Sequence, residues 1–187
     1  MTLHRFTKEE FDALPVVNGR RQCPTGDYSA IKTFPERCRF AGWCRFAGWC
    51  RFAGWCSFAE RCSFAEGCSF AGWCSFAEGC RFAEGCSFAE WCSFAEGCSF
   101  AKGCSFESGH ECRTVNPYFA VDRIGSALRK AYFFDFTDGL HVRAGCFFGT
   151  EAEFIAKLHS DGDAHKTATY TAALALAKLQ LGIGGDA

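Results

Sequence analysis

Residues 38–61 read CRFAGW CRFAGW CRFAGW CSFAER, and the same six-residue unit continues to Gly109. Twelve cysteines, at 38, 44, 50, 56, 62, 68, 74, 80, 86, 92, 98 and 104, keep one clock. A phenylalanine follows each of them two residues later: Phe40, Phe46, Phe52, Phe58, Phe64, Phe70, Phe76, Phe82, Phe88, Phe94, Phe100 and Phe106. Alanine comes next in every unit but the last, where Glu107 stands. A repeat this regular outranks any local signal in deciding the fold.

A period of six does not suit an α-helix. Residues two apart lie about 200° from each other on a helical wheel, so Cys and Phe would face opposite sides. In a strand, residues two apart share a face. Cys-x-Phe is therefore expected to be a short strand with two inward residues and one outward residue between them, and the rest of the unit turns a corner. The unit closes with Gly-Trp (42–43, 48–49, 54–55, 72–73), Glu-Gly (66–67, 78–79, 84–85, 96–97), Lys102-Gly103 or Ser108-Gly109. Ten of the twelve units thus hold one glycine at the bend, where a positive φ is expected and glycine has no Cβ to clash. Glu60-Arg61 and Glu90-Trp91 do without it.

On these residues the block resembles the hexapeptide repeat of left-handed parallel β-helices. It departs from that family in using Phe where Leu, Ile or Val is usual, and Cys where Ser, Thr, Ala or Val is usual. Pentapeptide-repeat proteins also have Phe centres, but their period of five fits worse. The resemblance implies a triangular coil of three hexads, 18 residues, and about four coils in residues 38–109. At the sheet spacing these stand about 19 Å tall. Trp55, Trp73 and Trp91 are 18 residues apart and are expected to stack in one column. Large Phe and small Cys would fill the interior as a Phe ladder flanked by thiols.

The flanks have a different grammar. In residues 1–37, an N-terminal cap, Thr7-Lys8-Glu9-Glu10 is a capping box that opens a helix to Leu14. Asn18-Gly19 is a hairpin turn, and Cys23 stands off the clock. In residues 110–187 the stretches 118–124, 130–136 and 140–148 read as strands. A capping box at Thr150-Glu151-Ala152-Glu153 starts a helix to about Leu158, and 166–181 is a second helix. This β-β-β-α-α tail resembles modules of uncharacterised phage and bacterial proteins that carry similar Cys-Phe repeats. The fold class expected is mainly β: a short parallel β-helix with a small N-terminal cap and a C-terminal α+β module.

Composition narrows the function classes. A formal net charge of −1 gives no bulk attraction to nucleic acid or membrane. The first residues lack a secretory apolar core, and no apolar run spans a bilayer. Fifteen cysteines without an export signal are expected to be reduced thiols, in the cytoplasm or in a phage particle. The left-handed β-helix resemblance brings acyltransferases to mind, whose catalytic histidine sits in or beside the coils. Residues 38–106 contain no histidine and no loop breaks the clock, so no general base is offered. No cofactor or metal is expected. His110-Glu111-Cys112 and the loop of His159, Asp161, Asp163 and His165 lack metal-ligand spacing, and the loop is read as solvated.

The outward tryptophans, Trp43, Trp49, Trp55, Trp73 and Trp91, are the best functional clue, because large exposed aromatics mark interfaces. The reading is a non-enzymatic structural or protein-interaction protein. It presents its C-terminal module, which could hold a protein partner, and self-associates as a homo-oligomer. One alternative is nucleic-acid binding by the first coils, where Arg39, Arg45 and Arg51 interleave with tryptophans. Against it, residues 38–106 hold six basic residues and six glutamates, at 60, 66, 78, 84, 90 and 96. Another is an enzyme with a site at His141, Cys146 and His159.

Overall fold

A computed structural model describes residues 2–95, 97–101, 103–106, 110–113, 117–125 and 128–184. Glu96, Lys102 and the last corner, 107–109, lie outside the described residues. The chain forms two compact units, Met1–Glu111 and Cys112–Ala187.

The first unit opens with α1 (Lys8–Asp12), β1 (Val16–Val17), β2 (Arg20–Cys23) and β3 (Thr33–Phe34). The repeats then give β4 (Cys38–Phe40), β5 (Arg45–Phe46), β6 (Arg51–Phe52), β7 (Ser57–Phe58), β8 (Ser63–Phe64) and β9 (Ser69–Phe70). They continue with β10 (Ser75–Phe76), β11 (Arg81–Phe82), β12 (Ser87–Phe88), β13 (Ser93–Phe94), β14 (Ser99–Phe100) and β15 (Ser105–Phe106), and β16 (His110–Glu111) follows. Every third repeat strand pairs in parallel, which makes three faces. Face one runs β1-β2-β4-β7-β10-β13, face two β5-β8-β11-β14, and face three β3-β6-β9-β12-β15-β16. Ser57 pairs with Ser75 and Ser75 with Ser93, so one coil takes 18 residues, as the resemblance implies. The molecule is a parallel β-solenoid.

The solenoid has one more coil than the repeats spell. Gln22 pairs with Arg39, Asp27 with Arg45, and Thr33 with Arg51. Cys23, Tyr28 and Phe34 thus take the places of the inward phenylalanines. Tyr28 is fully buried and donates its hydroxyl to Pro24 O at 2.6 Å. Phe6 stacks on Tyr28 at 4.7 Å, and Phe11 of α1 meets Phe34 edge-on at 5.4 Å. The N-terminal segment therefore supplies a coil and closes the open end of the core. The capping box of Thr7 and Glu10 holds α1 there, and the helix stops at Asp12 rather than reaching Leu14. Asn18 and Gly19 form the two-residue hairpin turn, both with positive φ.

Inside, the phenylalanines form three columns. Rings one coil apart lie parallel with centroids 4.6–5.2 Å apart (Phe34–Phe52 the closest, Phe76–Phe94 the widest). Neighbours within a coil meet edge-on, as Phe70 meets Phe76 at 5.0 Å and 89°. Each ring thus uses both favourable aromatic geometries at once. The cysteines do more than fill space. In the backbone ladder the outward residue donates to the Cys carbonyl a coil earlier, as Ser63 N to Cys44 O at 2.9 Å. Ala donates to the Phe carbonyl, as Ala65 N to Phe46 O at 3.2 Å. The alanine carbonyl is turned toward a thiol instead. Cys62 Sγ donates to Ala41 O at 3.4 Å and Cys68 Sγ to Ala47 O at 3.2 Å, and the pattern repeats to Cys104 and Ala83. A purely apolar residue would leave that buried carbonyl without its donor. Burial among phenyl rings disfavours the thiolate, so the neutral thiol is the form that suits these columns.

The second unit is an antiparallel sheet of four strands, β17 (Tyr118–Ile124), β18 (Arg129–Phe136), β19 (Gly139–Ala144) and β20 (Phe147–Thr150), in sequence order. The stretch 140–148 is thus a hairpin and not one strand. Ala144 pairs with Phe147, and Gly145 (φ 64°) opens the two-residue turn. Helices α2 (Glu151–Asp161) and α3 (Ala164–Leu181) pack on one face, where Phe133, Val142, Phe154, Leu158, Tyr170 and Leu174 form the core. Thr150 and Glu153 make the expected capping box of α2.

Candidate functional site

The corners are where the solenoid departs from local backbone preference. The sixth residue of each described unit has a positive φ whatever its identity: 62° at Trp43, 60° at Trp49, 63° at Trp55, 58° at Arg61, 66° at Gly67, 65° at Trp73 and 65° at Trp91. The cause is tertiary. That residue's N–H donates to the fifth-position carbonyl of the next coil, as Trp43 N to Glu60 O at 2.9 Å and Trp73 N to Glu90 O at 3.2 Å. This bears out the expectation for Gly67, Gly79, Gly85, Gly97 and Gly103 and corrects it for the glycines of the Gly-Trp units. Gly42, Gly48, Gly54 and Gly72 do not hold the positive φ; they sit one residue earlier, against the next coil. A Cβ on Gly54 would stand 2.9 Å from Gly72 O. The tryptophans after them take the left-handed conformation, which costs an L-residue roughly 1–2 kcal/mol.

Gly97 lets that cost be measured. Its φ is 69°, and a Cβ there would meet only Gly79 and Glu78, at 3.7 Å or more, an ordinary contact. Gly97→Ala is expected to lower the solenoid's unfolding free energy by about 1–2 kcal/mol in a urea titration. No loss would mean that the corner carries no strain.

Three corner columns result. One is Trp43, Arg61, Gly79 and Gly97, with the Arg61 guanidinium 4.9 Å over the Trp43 ring. In the second, Trp49 is 72% exposed and its ring lies over Gly67, where a Cβ would meet it at 2.8 Å. The third holds Arg37, Trp55, Trp73 and Trp91. Trp55 stacks on Trp73 at 5.1 Å and 3°, and Trp73 on Trp91 at 5.3 Å and 12°. These three remain 47%, 50% and 39% exposed, so their outer edges form a ribbed apolar ridge. The expected column is present; the other two tryptophans fold over the corner of the next coil.

The remaining candidate residues do not converge. Arg39, Arg45 and Arg51 point off faces one, two and three, so the first coil gathers no single basic patch. In the second unit His141 is buried on the sheet face opposite the helices, beside Phe136 at 5.3 Å and Phe148 at 5.6 Å. His159 is exposed on α2 on the other side of the sheet, and Cys146 is exposed in the β19–β20 turn. The three offer no common pocket for a nucleophile and base. The acids of the loop at 159–165 serve structure. Asp161 pairs with Lys166 at 2.5 Å and Lys157 at 3.3 Å, and Asp163 caps α3. Among the described residues no helix is long and apolar enough to cross a membrane.

The fold and this surface define a parallel β-solenoid with an aromatic corner ridge. No family model, no curated protein and no solved structure matches the chain.

Proposed function

We propose that the protein is a non-enzymatic structural or interaction protein. A rigid solenoid carries the α+β module and self-associates through the ridge of Trp55, Trp73 and Trp91. One observation carries the reading: exposed tryptophans occupy a left-handed corner position that glycine fills in neighbouring units. Folding alone favours glycine there, so the indoles are retained at a cost in stability. Large apolar edges held in water against that preference fit a contact surface. Buried thiols that form no disulfide suit a reducing compartment such as the cytoplasm. Nucleic-acid binding is the weaker reading, because the arginines of the first coil diverge. The C-terminal module is left as a place for a protein partner.

The test is the native mass of the protein beside that of a variant with Trp55, Trp73 and Trp91 changed to glycine. Glycine suits the corner, so the variant is expected to fold. An oligomeric parent and a folded monomeric variant support the reading. A parent that stays monomeric at every concentration overturns it.

A further inference from the structure

The ridge has a charge polarity along the solenoid axis. Over residues 2–61 the sequence holds ten Lys and Arg against six Asp and Glu; over 62–111 it holds two against seven. The same polarity borders the ridge. Arg37 occupies the corner one coil before Trp55, Arg39 follows two residues beyond it on face one, and Arg51 lies on face three in the coil of Trp55. Glu36, next to Arg37, offsets one of these charges. At the far end Glu90 precedes Trp91, and Glu111 pairs across from Ser105 on face three. Arg51 and Glu90 are both exposed.

The ridge also has a period. Its ribs repeat at 5.1 and 5.3 Å, the spacing between coils. A surface that matches it rib for rib must repeat at the same interval. A second copy of this solenoid does so.

We infer that the partner on the ridge is a second copy of this chain, docked antiparallel about a two-fold axis at Trp73. This rests on the reading of the ridge as a self-association surface and adds the orientation. The axis exchanges the coil of Trp55 with that of Trp91. Arg51 of each copy then faces the Glu90 end of the other, and the contact is self-complementary, as a closed dimer requires. In a parallel pair the two basic ends would lie side by side, and so would the two acidic ends. The three ribs span only about 10 Å, which is short for a stable interface, so a concentration-dependent dimer is expected.

Sedimentation equilibrium of the full chain over a concentration series tests this. Arg51→Glu is expected to weaken the dimer at least tenfold, and adding Glu90→Arg in the same chain is expected to restore it to within about threefold. Both side chains are exposed, and circular dichroism matching the parent confirms the fold of each variant. If both variants dimerise like the parent, or if the double variant stays as weak as the single one, the antiparallel pairing is overturned while the ridge contact stands. If the parent never dimerises, the reading beneath it falls as well.

Discussion

Phe76→Ala is expected to destabilise the solenoid by about 3–5 kcal/mol, the cost of emptying a large buried aromatic site. Phe76 is 3% exposed and has ring partners on every side. It stacks on Phe58 at 4.9 Å and Phe94 at 5.2 Å, and meets Phe70 and Phe82 edge-on at 5.0 and 4.9 Å. Those neighbours are held in turn by their own stacks, so they have little room to close the void. A urea titration followed by tryptophan fluorescence reads the loss. A change below about 1 kcal/mol would mean that the ladder relaxes into the gap and is far looser than its geometry implies. Because each coil touches only its neighbours, Phe64 and Phe70 are expected to cost the same as Phe76.

Cys80→Asp is expected to abolish cooperative folding of the solenoid at neutral pH. Cys80 is fully buried, and its thiol donates to Ala59 O at 3.5 Å. A carboxylate in its place would be an acceptor facing an acceptor, among phenyl rings and thiols. A buried unpaired charge costs several kcal/mol, comparable to the whole stability of a small domain. Desolvation would raise the folded-state carboxyl pKa above its unfolded value of about 3.9. The penalty is therefore full above the folded value and shrinks as pH falls toward the unfolded one, so partial recovery in acid is expected. Cys80→Ser, which keeps a donor of similar size, should lose only about 1–2 kcal/mol. Circular dichroism against pH separates the two variants. A well-folded aspartate variant at pH 7 would show that the cysteine columns are hydrated.

The parity of Cys-x-Phe was enough to assign inside and outside for every repeat, because a period of two admits only one inward set. The 18-residue spacing of Trp55, Trp73 and Trp91 likewise foretold a column. The first coil escaped because Cys23, Tyr28 and Phe34 do not spell the hexad. A trace of it was legible all the same, since Tyr28 and Phe34 stand 18 residues before Phe46 and Phe52. The corner was misread in the Gly-Trp units for a physical reason: the sixth position donates to the next coil and is left-handed whatever its residue, so a glycine in the fifth position does not mark the strained one. The thiol's work as a donor follows from where the alanine carbonyl points, and spacing alone does not carry that. In the second unit, Gly145 looked like a strand interior because apolar residues flank it on both sides. The ridge's exposed edges needed the stack itself to be visible.

Three hexads per coil also make the solenoid a screw with three stops per turn. Adding or removing one unit changes its length by a third of the sheet spacing, about 1.6 Å, and turns the direction in which the chain leaves by about 120°. Adding three lengthens it by about 4.8 Å and leaves that direction unchanged. Units this alike can be gained or lost without harming the core. The number of units modulo three therefore sets the azimuth at which the chain leaves the solenoid, while the total sets the solenoid's length. Variants differing by one unit would be nearly equal in stability and unequal in where they point.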